Sequence, residues 1–143
     1  MVTYELMQEA KIKLIKKCVE HANCVRVPVY GDSMEPTILE GSVITIKQKE
    51  SYLPGDVVLF YDSQYRLVVH RIASVSDDLV CLKGDSADLY DYIPPNQIFG
   101  GMVVESIEFQ NLVFEEKIEN IILRLTLING VLPRHIEITE VIK

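Results

Sequence analysis

The sequence has few cysteines, no long apolar run and no excess of positive charge. Cys18, Cys24 and Cys81 are an odd number without C-x-x-C spacing, which argues against a disulfide framework or a zinc site and for a reducing compartment. No stretch approaches the roughly 20 apolar residues of a membrane-spanning helix. Glu5, Glu9, Lys11 and Lys13 interrupt the N-terminal segment, so it lacks the basic-then-apolar layout of a secretory signal. These absences predict a cytoplasmic protein. A formal net charge of −7 argues against nucleic acid as a main partner, since phosphate binding needs a basic face. There is no repeat and no low-complexity tract, and neither a cofactor nor a metal is expected. What remains is a chain of 143 residues, 48% hydrophobic and 24% charged, sufficient for one globular domain with a core.

Residues 3 to 22 carry a helical pattern. Met7, Ala10, Leu14, Cys18 and Ala22 recur at three- and four-residue intervals, and Ile15 and Val19 widen the stripe. Glu5 and Glu9 come early and Lys16 and Lys17 late, the order a helix dipole favours. Such a helix either packs on the domain or lies on the inner face of a membrane through Lys11, Lys13, Lys16 and Lys17.

From Val25 to Ile107 the pattern changes to short strands separated by turns. Val25 to Val27 begins one strand, and Pro28 places it at a sheet edge. Further strands are expected over 42–47, over Val57 to Tyr61 after the Pro54-Gly55 turn, and over 66–75, 79–83 and 97–104. Strands this short and regularly spaced predict a β sandwich or partly closed barrel. In the remaining segment, 108–143, Phe114, Ile118, Ile121, Ile122, Leu125 and Ile128 predict a second amphipathic helix. Asn111 would be its cap and Asn129-Gly130 its stop, with a short strand around Ile136 and Ile138. The expected class is mainly β, or β-rich α+β, with helices at both ends.

Three stretches bear chemistry. In Gly31-Asp32-Ser33-Met34-Glu35-Pro36-Thr37, Gly31, Asp32 and Pro36 make a rigid bend that can hold a nucleophilic hydroxyl. In Val68-Val69-His70-Arg71-Ile72, alternation puts His70 on one face with Val68 and Ile72, either as a satisfied core histidine or facing a cleft. The third, Lys83 to Asp91, offers carboxylates among small residues. A serine, an imidazole and a carboxylate are the set that nucleophilic hydrolysis needs. None of the three cysteines lies in a comparable turn.

Ser-Met-x-Pro-Thr, Pro-Gly-Asp-Val-Val, Val-Val-His-Arg-Ile and Lys-Gly-Asp with an aspartate six residues on resemble, in that order, the boxes of type I signal peptidase and the related LexA-like self-cleaving proteins. The histidine before the arginine resembles the archaeal and endoplasmic-reticulum type rather than the lysine-base type. The resemblance covers about Val25 to Val104 and implies a coiled, mostly antiparallel β fold with a cleft for an extended peptide. It implies Ser33 as nucleophile, His70 as general base and Asp91 as the orienting acid. Asp85 would support the loop, pairing with Arg71, and Met34 and Pro36 would contact substrate. No Ala-Gly or Cys-Gly bond precedes Ser33, so cleavage in trans, after a small side chain, is expected. The function implied is a soluble serine endopeptidase acting on a peptide or leader sequence. The alternatives are a non-catalytic peptide-binding module of the same fold and the leader peptidase of a peptide-modification system.

Overall fold

The computed structural model describes residues 2–105 and 108–140. The expected segment boundary at Ile107 and the last three residues of the chain lie outside the described residues. Strands β1 (Cys24–Pro28), β2 (Val43–Lys47), β3 (Val57–Tyr61), β4 (Leu67–Val75), β5 (Val80–Lys83), β6 (Tyr90–Ile93) and β7 (Ile98–Val103) form one antiparallel sheet in the order β1-β2-β7-β3-β4-β5-β6. A second antiparallel sheet, of β8 (Leu112–Ile118), β9 (Ile121–Leu127) and β10 (Glu137–Glu140), has the order β10-β9-β8. The fold is therefore mainly β, with a single α-helix among the described residues, α1 (Tyr4–Ala22).

Helix α1 starts where Thr3 Oγ1 accepts the Leu6 N–H at 3.1 Å. It ends at Asn23, whose positive φ of 67° lets its N–H return to the Val19 carbonyl. His21 Nδ1 lies 2.9 Å from the Lys17 carbonyl in the last turn. The face carrying Ala10, Leu14, Ile15, Cys18 and Val19 is buried, mainly against β8 and β9 with β1 behind. Among the described residues, no helix is long and apolar enough to cross a membrane.

The continuous apolar run of β3 reflects burial on both of its faces. Val57 and Leu59 join the larger core with α1, β1, β2 and the second sheet. Val58 and Phe60 join a smaller one with Ile72, Val80, Leu82 and Ile93. Strand β4 is thus fastened to a two-sided wall, which gives His70 a rigid mount.

The helix expected over 114–128 is not present: the segment is the β8–β9 hairpin. Leu112, Phe114 and Ile118 on β8 and Leu123, Leu125 and Leu127 on β9 turn to one side, and Val113, Glu115 and Lys117 are exposed between them. Ile118 pairs with Ile121 around a tight turn in which Glu119 takes a φ of 52°. Asn111 caps no helix. Its Oδ1 accepts the Asn129 N–H at 2.7 Å. Asn129 and Gly130, both at positive φ, make a second tight turn inside the Ile128–Val131 bridge.

Candidate active site

Ser33 stands on the turn that follows β1. Gly31 enters it at φ 80°, and the Glu35 N–H closes it on the Asp32 carbonyl at 3.0 Å. The Met34 carbonyl then accepts the Ile38 N–H at 2.9 Å, so the turn continues as a helical loop pinned to the core. Met34 is fully buried there (0% exposed) and holds the turn from beneath. Its side chain faces the core, so only its backbone could meet a bound peptide. Pro36 is exposed on the turn, and neither residue lines the cleft described below.

His70 projects from β4 toward that turn, its ring 6.0 Å from the Phe60 ring. Its Nε2 lies 3.1 Å from Ser33 Oγ and its Nδ1 lies 2.5 Å from Asp91 Oδ2. Asp91 comes from β6, which β5 carries alongside β4 through the Leu82–Asp91 pair. An ionised carboxylate only accepts, so Nδ1 carries the proton and Nε2 of the neutral ring is left to accept the serine hydroxyl. The imidazole is 12% exposed and the Asp91 side chain 31%, a site shielded at its centre and wet at its rim.

Asp85 is placed differently. Arg71 donates Nε–H and Nη2–H to its two carboxylate oxygens, each at 2.9 Å, and Nη1–H to the Gly55 carbonyl at 2.8 Å. This fork fastens the loop after β5 to the strand that carries His70 and to the turn before β3. The Arg71 hydrogen bonds hold the Asp85 carboxyl well down, at about 2, with a smaller contribution from the Thr37 hydroxyl in the Ser33 loop. The unfolded aspartate titrates near 4, so the pair stabilises the fold above about pH 4 and the gain fades as pH falls toward 2. Asp85→Asn should cost about 1 kcal/mol at neutral pH, after allowance for solvent around the pair, and flatten acid unfolding between about pH 4 and 2. Urea titrations across that range measure it. A variant whose acid limb matches the parent protein's would remove the assignment.

The loop from Lys83 to Asp88 contributes more than its aspartate. Lys83 Nζ donates to the carbonyls of Gly84 and Ala87, at 3.1 and 2.7 Å. Ser86 donates its N–H to the Ser33 carbonyl at 2.9 Å and its hydroxyl to the Asp32 carbonyl at 2.7 Å. Gly84 sits directly behind the site. A Cβ built there would meet the Ser33 carbonyl oxygen at 2.6 Å, Ser33 Cβ at 2.9 Å and His70 Nε2 at 3.0 Å. Sequence reasoning missed these positioning roles of Gly84, Ser86 and Lys83. The only signal was the small residues flanking Asp85. Gly84→Ala should push Ser33 and His70 apart and lower any turnover about 10²-fold, with a stability loss of about 1–3 kcal/mol. Kinetics read beside a thermal melt check this, and a variant with the parent's activity would show that the contact can relax.

Cys18 and Cys24 are buried and poorly suited to act as nucleophiles. Burial pushes the Cys18 thiol up to about 12 and also raises that of Cys24. Among the described residues, no cluster of acidic, histidine or cysteine side chains could hold a metal ion.

A cleft of about 570 Å³ opens beside Ser33. Its walls are the end of β1 with Val29 and Tyr30, the start of β4, the α1 face around Ile12 and Ile15, and residues 132–136. His70, Asp91 and Asp85 lie outside this lining. The arrangement can transfer the serine proton to an imidazole whose charge a carboxylate then balances.

The sequence model of the family described as Peptidase S24-like matches residues 2–103. No curated protein and no solved structure matches the chain.

Proposed function

Because the chain belongs to the Peptidase S24-like family, we propose that it is a serine endopeptidase cleaving a peptide or leader sequence in trans. In this reading Ser33 is the nucleophile, His70 the general base and Asp91 the orienting acid. The observation that carries it is the hydrogen-bonded series from Ser33 Oγ through both ring nitrogens of His70 to Asp91. As Oγ attacks the scissile carbonyl, Nε2 takes its proton and Asp91 balances the imidazolium. The imidazolium then gives that proton to the leaving amine, and water repeats the sequence on the acyl-enzyme. Among the described residues the Ser33 N–H donates to no other group, so it is free to receive the oxyanion. Asp85 positions this set through Arg71 without touching the reacting atoms.

The substrate binds as an added strand. Residues 67–71 of β4 pair with β3 on one side, while β5 pairs only from Arg71 onward on the other. The backbone just before His70 therefore has an open edge, next to the cleft.

The test is covalent labelling by a fluorophosphonate. Attachment to Ser33, lost in His70→Ala, is expected. A folded protein that never labels would leave the peptide-binding module as the better reading. A leader peptidase of a peptide-modification system differs from the proposal only in its substrate.

A further inference from the structure

One side of the cleft is built by residues beyond the family match. Arg26 donates its N–H to the Gly130 carbonyl at 2.7 Å and accepts the Leu132 N–H at 2.8 Å, so residues 130–132 run parallel to the outer edge of β1. Two residues on, the next outward position of β1 is Pro28, which has no N–H to continue the ladder. The chain leaves the edge through Pro133 and becomes a wall of the cleft. There the Arg134 guanidinium lies 4.5 Å from the centroid of the Tyr30 ring, three residues before Ser33.

The charges on this lining are of one sign. Among the described residues, Lys11, Arg66 and Arg134 line the cleft and no acidic residue does, although the chain has 21 acidic and 14 basic residues. Arg66 is answered by Asp62 at 2.8 Å. Among the described residues, neither Lys11 nor Arg134 is in an ion pair. Glu5 and Glu9 of α1 act on Tyr65, at the Arg66 end. Lys11 and Arg134, unpaired among the described residues, stand over an apolar floor of Ile12, Ile15, Val27 and Leu59 and give this part of the groove a local positive charge. An occupant of opposite charge complements it.

We infer that the cleft selects acidic peptides: extended segments with apolar or small residues on the floor and an Asp or Glu that meets Arg134, with Lys11 assisting. Calling them substrates rests on the peptidase reading of Ser33, but the charge selection does not require turnover. Arg134 is a specificity-determining residue, held in place by Tyr30.

Binding to the Ser33→Ala protein tests this without cleavage. The probes are fluorescent extended peptides of Ala, Val and Ser with one Asp, Glu, Asn, Gln or Lys moved along the sequence. Acidic peptides should bind about three- to tenfold tighter than their amide counterparts, with the advantage shrinking as salt is raised. Arg134→Gln should abolish the advantage, Arg134→Lys should keep most of it, and Arg134→Glu should favour the lysine peptides. Circular dichroism and thermal midpoints identify any variant that has lost its fold. Equal binding of acidic and amide peptides, or no binding of any peptide, overturns the inference. So does full acidic preference in a folded Arg134→Gln, Lys11→Gln double variant. Fluorophosphonate labelling of the parent protein separates the two readings. A labelled Ser33 without acidic preference removes charge selection alone. Acidic preference without labelling supports it and removes only turnover.

Discussion

Ser33→Ala is expected to lower peptide turnover by about 10⁴-fold or more while leaving peptide affinity within about twofold. The hydroxyl is small and sits at the edge of the cleft, so its removal takes little from ground-state binding. It is, however, the atom that would bond to the substrate. The Ser86 bonds to the carbonyls of Ser33 and Asp32 do not involve the Ser33 side chain, so the turn should keep its shape. Single-turnover kinetics with a cleaved peptide, set beside anisotropy for binding, separate the two quantities. Turnover within tenfold of the parent protein would mean that Oγ is not the attacking atom.

Asp91→Asn should cost about 10³- to 10⁴-fold in kcat, with little change in stability. The carboxylate is a pure acceptor and fixes the proton on Nδ1. An asparagine amide can donate to Nδ1 instead, which moves the ring proton to Nε2 and leaves Ser33 Oγ facing a donor. It also removes the negative charge opposite the developing imidazolium. Asp85→Asn should be far milder in kcat, because Asp85 reaches the site only through Arg71. Comparing kcat of the two variants at matched thermal stability distinguishes an orienting acid from a loop clamp. A larger loss from Asp85 than from Asp91 would reverse the two roles.

Much of the site could be read in the sequence because its parts are short and local. Gly31 and Pro36 mark the bend, a histidine interrupts an apolar strand, and the aspartates punctuate one loop. Alternation alone placed His70 with Val68 and Ile72 on one face, and Val68 and Ile72 do pack on the smaller core. The roles of Gly84 and Ser86 were not legible, because they depend on a loop crossing another whose approach no spacing encodes. The burial of the Met34 side chain was not legible for the same reason. Nothing in its neighbours tells that the turn drives it inward.

The second sheet was misread for a different reason. Phe114, Ile118 and Ile122 stand four residues apart, as do Ile121 and Leu125, and four is both about one helical turn and two strand repeats. Glu119-Asn120 contains no glycine or proline to announce a hairpin, and glutamate rarely adopts the φ of 52° found there. Asn129-Gly130, which does announce one, fits a helix stop equally well. With periodicity and punctuation both ambiguous, burial against α1 decided the outcome.

That burial has a consequence for the protein's birth. Synthesis delivers α1 early, with Leu14, Ile15, Cys18 and Val19 ready to be covered, while Leu123, Leu125 and Leu127 arrive only near the other end of the described residues. A ribosome-bound chain would thus hold a greasy helix without its lid until residues 123–127 emerge, as domains relying on distant partners do. Gly130 and Leu132, which follow them, seal the outer edge of β1. Until they emerge, that edge is a bare template for pairing with another nascent chain, interrupted at one end by Pro28.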